Sequence, residues 1–561
     1  MKMISFRLML FLGTIIGLSD SAFGQQINWV KQAGGAGWDE GSAIKTDQDK
    51  NVYVAGFFEG TVDFDPGPAV FNLTSVYNRN AFVCKLDSSG NFVWALQYGD
   101  SASLYEKSAM GLDESGNIYI TNSFLGTVDF DPGPGTFYMT SVGWDINNFI
   151  LKLDGNGNFL WAKQIGAVPS SSPSSPVHSY AIAVDDSGNQ YLTGYFDGSI
   201  DFDPGTGNFL MTSNQFNDIF ICKLDALGDF VWAKQFSSYG GSGYDIAVDD
   251  SGNVYTTGTI GGTTDFDPGP GVYNLTTSVA LQSEIFTCKL NAAGDFVWAN
   301  AMGPGEGLAL AIDDRGHTYS CGWAPLGYTP LLYKTDAQGN LSWGKDIGGS
   351  YVESIVIDPS GNIYSTGACY GTNDFDPGPG VFNLTGANSD TYISKLDSAG
   401  NFIWAGLFTS ADQVYPKAIT VDHSGDVYTT GFFGSTTDFD PSSSVFNLTS
   451  VPFSYDIYIH KLTGNMTTGL QQNDFANEFK IFPNPTTGSF MVGVQNFSLL
   501  PHEPLQNLIF SLRDLSGREI QTNPIINTTL AEFQFNAAAG IYFLEITDPS
   551  NRKAVVKVVK E

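Results

Sequence analysis

The chain has 561 residues, of which 15% are charged, 14% are aromatic and 64 are glycine, and its 58 acidic against 26 basic residues give a formal net charge of −32. So acidic a protein is excluded from binding nucleic acid through phosphate neutralisation, while its aromatic content excludes a disordered acidic chain. Long helices need more Ala, Glu, Lys, Leu and Arg than this balance offers, which leaves a Gly-, Asp- and aromatic-rich all-β protein.

Residues 1–24 read as a signal peptide. Lys2 and Arg7 form a basic start, Leu8 to Leu18 is apolar, and Ala22-Phe23-Gly24 supplies small residues before a cleavage site at Gln25. The apolar run is too short for the ~20 residues that span a bilayer. No other stretch qualifies, so no transmembrane segment is expected.

From there the chain repeats. The pattern Asp-x-x-x-(Asn/Asp/His)-x-Tyr ends at Tyr53, Tyr119, Tyr191, Tyr255, Tyr319, Tyr364 and Tyr428. A Trp recurs in strings such as GNFVWA at Trp94, Trp161, Trp232, Trp298, Trp343 and Trp404, and the string DFDP begins at Asp63, Asp129, Asp201, Asp265, Asp374 and Asp438. Each copy holds four strand-like runs between turn signals; in the third these are AIAV, NQYLTGYF, DIFICKLD and DFVWAKQ. Turns such as DDSG and DALG join them tightly enough for antiparallel hairpins. In the Trp strand, Phe230 and Trp232 point to one face and Val231 and Ala233 to the other, which predicts a strand buried on both sides. Four-stranded sheets stacked radially make a β-propeller.

The seventh copy stops near Gly464 without its Trp strand, and the match to that strand is INWVKQ, Ile27 to Gln32, at the mature N-terminus. A seven-bladed β-propeller closed by an N-terminal strand follows, with residues 25–464 as one domain and no open sheet edge at the join. The fifth copy is 45 residues long and lacks the DFDP segment. The other copies therefore insert a loop between their second and third strands, crowning one face, where ligand binding is to be sought.

Past Gly464 the composition changes. Residues 471–561 hold 9 acidic and 7 basic residues against 48 and 17 in 25–470. After a linker at 465–478, residues 479–561 carry short alternating strands that fit a small C-terminal β-sandwich. Pro483, Asn484, Pro485, Gly488 and Phe490, then Asp514, Gly517, Gly540 and Tyr542, with Lys557 and Lys560 at the end, make this module resemble the C-terminal sorting domain of the type IX secretion system of Bacteroidota. The resemblance implies recognition by that secretion machinery, passage across the outer membrane, and a cell-surface or extracellular place. The DxxGNxY and FDPGPGxFNLTS strings resemble SBBP-type β-propeller repeats, a likeness that implies fold and little about activity. The KLDxxGNFVWA string is also similar to quinoprotein repeats, which implies shared blade packing.

Candidate chemistry is sparse. The DFDP loops place carboxylates two residues apart at Asp63 and Asp65, Asp129 and Asp131, Asp201 and Asp203, Asp265 and Asp267, Asp374 and Asp376, and Asp438 and Asp440. They are candidates for Ca²⁺, which wants several oxygen ligands; without a bidentate Glu or a fixed third ligand, capping of a Pro-Gly turn is the expectation, and no cofactor is assigned. Cys84, Cys222 and Cys288 share a slot that also accepts Leu151, Ser394 and His460, so they are not ligands; Cys321 and Cys369 are the one pair to consider for a bridge, with buried free thiols expected. His178, His317, His423, His460 and His502 show neither metal-ligand spacing nor a nucleophile motif, and no catalytic residue is assigned. Trp38, Tyr105, Tyr180, Tyr244, Tyr351 and Tyr415 precede the blades' first strands; they pack the channel mouth or stack on sugar rings. The function expected is non-enzymatic binding of a glycan or protein on the crowned face. The alternative is a polysaccharide hydrolase or lyase, which needs carboxylates from several blades to converge, ~5–9.5 Å apart in a glycosidase.

Overall fold

The computed structural model describes residues 26–463 apart from the stretches 77–78, 100–103, 143–144, 168–174, 215, 279–281, 325–328 and 443, and residues 479–560 apart from 483–485, 487–488, 495–507, 515–518, 526–529, 535–537, 539 and 548–552. The signal peptide and the linker at 465–478 lie outside the described residues. The chain divides into two compact units, Met1–Gly464 and Asn465–Glu561. Among the described residues every regular element is a strand.

The first unit contains seven four-stranded antiparallel blades. In blade 1 the strands Glu40–Thr46, Val52–Phe58, Asn80–Leu86 and Phe92–Tyr98 pair in chain order. The later blades begin at Leu104–Leu112, Val177–Val184, Ser242–Val248, Glu306–Ile312, Tyr351–Ile357 and Val414–Val421. Those first strands pack side by side around the axis, and the first strands of blades 7 and 1 meet to close the ring. The fourth strand of blade 7 is Gln26–Ala33, antiparallel to Tyr455–Thr463 with Val30 opposite His460. The N-terminal strand closes the propeller as its sequence predicts.

One side-chain set holds every blade. In blade 1 the Asp47 carboxylate accepts the Asn51 backbone N–H at 2.8 Å and the Tyr53 hydroxyl at 3.0 Å. The Lys85 ammonium lies 4.7 Å from the centre of the Tyr53 ring, and Trp94 meets that ring at 6.3 Å and 65°. The Tyr-to-Asp bond and the Lys-over-Tyr contact recur in all seven blades, ending with Tyr428, Asp422 and Lys461. A buried phenol, a carboxylate and a cation thus satisfy one another, as buried polar groups must. At the seam, Lys50 (φ 63°) takes a turn position where later copies use Gly, and it bridges to Asp422 at 3.2 Å and Asp426 at 3.6 Å in blade 7.

The Trp strand departs from its expected burial. Val231 is 45% exposed, and Val93, Leu160, Val297 and Ile403 match it. Blades fan apart toward the rim, so the outermost strand buries Ala233 and Phe236 while its middle apolar residue faces water. Burial on both faces belongs to the second strands instead: Val52–Phe58, Ile118–Phe124 and Val254–Ile260 are buried at every residue.

The DFDP insertions fold as hairpins that staple neighbouring blades. In blade 3, Asp201 and Ile200 pair with Gly166 and Ala167 at the end of the blade 2 outer strand. Blade 7 repeats this with Asp438 opposite Thr409, and blade 1 with Asp63 opposite Gly34. The Phe of each string is a buried plug: Phe266 lies 4.9 Å from Phe236 of blade 3 and 4.9 Å from Phe286 of its own blade.

The second unit has a three-stranded sheet (Phe479–Phe482, Ser489–Val494, Leu530–Gln534) and a four-stranded one (Leu508–Asp514, Glu519–Ile525, Gly540–Thr547, Lys553–Lys560), both antiparallel. Phe510, Leu512, Leu544, Ile546 and Val558 are buried. Of the sorting-motif residues, Asp514 pairs with Tyr542, Gly540 pairs with Lys560, and Phe490 pairs with Phe533. Tyr542 is buried, and its hydroxyl donates to the Ala538 carbonyl at 2.6 Å. Pro483, Asn484, Pro485, Gly488 and Gly517 lie outside the described residues.

Candidate ligand-binding mouth of the channel

Each innermost strand carries a β-bulge near its start. The register shifts between Gly41 and Ala43 in blade 1, between Ser179 and Ala181 in blade 3, between Gly243 and Asp245 in blade 4, and at matching places in the other four. The cause lies on the second strand. A Cβ on Gly56 would run into the Glu40 carbonyl oxygen, and one on Gly194 into that of His178; Gly258, Gly322, Gly367 and Gly431 repeat the conflict. Glycine there lets the bulged backbone approach. Blade 2 has Asn122 at this position, and its irregularity is longer, running between Tyr105 and Ala109.

Bulges re-aim side chains. The residue each one releases (Ser42, Ser108, Tyr180, Tyr244, Leu308, Glu353 and Lys417 around the ring) lines the central channel, whose open volume is about 480 Å³. They sit at the end of the blades that carries the hairpins. The two sides of this mouth differ. Tyr180 and Tyr244 lie 5.1 Å apart, backed by Tyr195 at 5.8 Å from Tyr180 and by His178 stacked on Tyr195 at 4.9 Å. Opposite, Lys417 pairs with Glu40 at 3.5 Å and lies 5.3 Å from the Tyr415 ring centre. Burial pushes the Tyr415 phenol well above its ordinary value, and the Glu353 carboxylate that accepts its hydrogen bond raises it further.

Deeper in the channel, Asp245 accepts the Leu310 N–H at 2.8 Å and its neighbour's N–H at 2.9 Å. Lys45 is open to channel water, yet the surrounding wall lowers its ammonium below the ordinary value, with the Asp245 charge opposing. Asp245 and Glu353 are the carboxylates lining the channel among the described residues, and each is already hydrogen-bonded.

The other candidates fall elsewhere. In each DFDP hairpin the first carboxylate binds backbone: Asp63 Oδ1 accepts the N–H of Asp65 at 3.1 Å and of Phe71 at 2.8 Å, while Asp65 accepts from Gly67 at 2.8 Å. The pairs Asp129 and Asp131, Asp201 and Asp203, Asp265 and Asp267, Asp374 and Asp376, and Asp438 and Asp440 repeat the capping by the first Asp. No cluster of three His, Cys, Asp or Glu able to hold a metal occurs among the described residues. Cys321 and Cys369 are both free, as are the other three cysteines, and all five are buried. His317 bonds Asp313 at 2.7 Å within a turn, and burial pushes the His460 imidazole down to about 3. Of the linking aromatics, Tyr180 and Tyr244 line the mouth, whereas Trp38 packs on Tyr455 and Phe432 at 5.2 and 5.4 Å beside the blade 7 seam. The bulge ring itself escaped the sequence reading; its signal is the lone Gly in strings such as YLTG and YTTG, because a Gly inside a strand marks a bulge or a close backbone approach.

Comparison with known proteins places the two modules. Residues 480–561 match the family model of the secretion system C-terminal sorting domain, and residues 231–267 match that of the beta-propeller repeat. The chain is a β-propeller exported by type IX secretion. Its sorting domain directs it across the outer membrane to the cell surface or the extracellular space. An uncharacterized WD repeat-containing protein of Acanthamoeba polyphaga mimivirus is 23% identical over 476 residues, covering 73% of this chain and 31% of that protein, so the chain spans about a third of its relative. Among solved structures, the WD40 repeats of RRP9 align over 78% of this chain and 99% of theirs (8% identity, TM-score 0.39). A polysaccharide lyase aligns over 75% and 90% (10% identity, TM-score 0.38). A protein of unknown function from Bacteroides caccae aligns over 58% and 89% (10% identity, TM-score 0.31).

Proposed function

We propose that this exported propeller is a non-enzymatic binding protein that takes its ligand at the channel mouth on the hairpin-crowned face. One observation carries the reading. Scaffold positions repeat around the ring, with the same Tyr, Asp and Lys in all seven blades, but the bulge position does not: Ser, Ser, Tyr, Tyr, Leu, Glu and Lys occupy it in turn. Identical blades need identical struts; Ser42 and Ser108 are buried, and the five partly exposed positions, Tyr180, Tyr244, Leu308, Glu353 and Lys417, vary while lining the cavity and can read a ligand. Its volume falls in the ~300–1,000 Å³ range of small-ligand sites, and it combines aromatic and polar groups as such sites do. The engagement of Asp245 and Glu353 in hydrogen bonds favours binding over general acid–base hydrolysis.

The test is binding of the mature protein to an array of soluble polysaccharides and bacterial surface proteins, beside an assay for newly released reducing or unsaturated ends. Binding that Tyr180→Ala and Tyr244→Ala each weaken at least tenfold, with no release of ends, is expected. Release of ends that Glu353→Gln abolishes would replace this reading with the polysaccharide-acting enzyme.

A further inference from the structure

Blade 7 carries a second hollow on the crowned face, of about 590 Å³, beside the seam where the ring closes. Two of the three non-glycine residues with left-handed backbone among the described residues lie in its wall, Ser435 at φ 61° and Phe453 at φ 65°. At the place of Ser435, just before the hairpin, blades 1, 2, 3, 4 and 6 use Gly60, Gly126, Gly198, Gly262 and Gly371, each with positive φ. Blade 7 alone among these hairpin-bearing blades puts a side chain on that strained position. Phe453 also points its ring wholly into solvent, at 108% relative exposure.

The strained loop is firmly held. The Ser454 hydroxyl donates to the Val451 carbonyl at 2.8 Å, and the Val451 N–H reaches Asp456 at 3.3 Å. The backbone on either side of Trp38 bonds Tyr455, whose N–H donates to Gly37 at 3.2 Å and whose carbonyl accepts from Asp39 at 2.8 Å. Two non-glycine residues held in costly left-handed backbone in one wall are outliers of the kind that cluster at ligand sites.

We propose that this hollow is a saccharide-binding site for an uncharged pyranose chain, with Phe453 as its stacking platform. A pyranose presents an apolar C–H face and a rim of hydroxyls. The aromatic ring meets the first. The exposed Asp412 carboxylate and the Ser435 hydroxyl meet the second. Charge selects among glycans. Asp412 is the one charged residue in the lining, and residues 25–470 hold 48 acidic against 17 basic groups, so uronate or sulfated chains are repelled. The site stands on its own residues and does not depend on the channel mouth.

The experiment is isothermal titration of the mature chain with cellohexaose, maltohexaose, laminarihexaose, xylohexaose and, as the anionic control, hexagalacturonate. At least one neutral hexasaccharide binds, Phe453→Ala weakens it tenfold or more, and Tyr180→Ala leaves it unchanged. Because the Phe453 ring touches solvent, the melting temperature of that variant stays at the wild-type value. Binding of none of the neutral chains, binding of hexagalacturonate alone, or equal binding by Phe453→Ala overturns the proposal. Loss in Tyr180→Ala only would move the saccharide to the channel mouth. A change in sedimentation of the sugar-free protein on Phe453→Ala would overturn it in favour of a protein contact.

Discussion

Closure of the ring by its own N-terminus makes Trp29 a test of the whole architecture. Its side chain is buried in the cluster with Ile44, Val52, Phe58 and Tyr428, meets the Tyr428 ring at 6.2 Å and 64°, and points its indole N–H at the Ser88 carbonyl of blade 1 at 3.4 Å. Trp29→Ala removes that burial and leaves a cavity at the junction of blades 7 and 1. Truncation of a buried Trp costs ~3–5 kcal/mol, and the long N–H···O contact adds little to it. Against a typical ~5–15 kcal/mol of total stability the loss is large. Hydrogen exchange read by mass spectrometry should show where it falls: protection drops in 26–33, 427–434 and 455–463, while the strands of blades 3 and 4 keep theirs. Urea unfolding should lose about 3 kcal/mol or more. A loss under about 1 kcal/mol, or unchanged protection in 455–463, would mean that Gln26–Ala33 does not serve as the fourth strand of blade 7.

The same seam should respond to pH. Burial raises the Asp39 carboxyl to about 7, against the opposing N–H bonds from Glu59 and Gly35, with Asp456 and Glu59 adding repulsion; Asp456 is itself raised by burial. A group with a folded pKa above its unfolded value contributes stability that is complete below the unfolded pKa and is lost as pH rises through the folded one. Melting temperature should therefore fall between pH 4 and pH 8, with a ceiling of about 4 kcal/mol from Asp39, and Asp39→Ala should flatten the slope; a wild-type profile that rises with pH would refute the assignment. Phe266→Ala should cost ~3–5 kcal/mol in urea unfolding, because its ring joins Phe236 and Phe286 across two blades; a neutral substitution would show that the hairpin does not staple. Calcium or EDTA should leave the melting temperature unchanged, since backbone N–H groups already occupy the first carboxylate of each DFDP hairpin; stabilisation by calcium would restore the twelve carboxylates as ligands.

Blade number and closure were legible because both are local facts copied around a ring: a turn Asp six residues before a Tyr, and a stray INWVKQ that fits the one gap. The bulges were not, because they are properties of register. Gly56 conflicts with Glu40 only once two strands are laid side by side, and no local propensity announces which carbonyl a glycine will face. Burial of the Trp strand was misjudged for a similar reason. Two apolar faces argue for two covering sheets only if the sheets stay in contact, and radial stacking separates them at the rim, leaving Val231 in water. The blade 7 hollow was invisible because its signature, Phe453 and Ser435 in left-handed backbone, is conformational.

The acidity that first characterises the chain bears on function in an indirect way. Seven carboxylates, from Asp47 to Asp422, hold a buried Tyr hydroxyl, and the first Asp of each DFDP string caps backbone N–H groups. These charges are committed to the scaffold and cannot be exchanged for specificity without loosening a blade. Variation in such a ring is concentrated at positions outside the repeated Tyr, Asp and Lys set, among them the bulges. Yet the committed charges still act at a distance, since a mature propeller with 48 acidic and 17 basic residues repels polyanions before any contact forms. On the binding role proposed above, scaffold chemistry would restrict the class of ligand to neutral or cationic ones, and the variable residues at the channel mouth and beside Phe453 would choose within it.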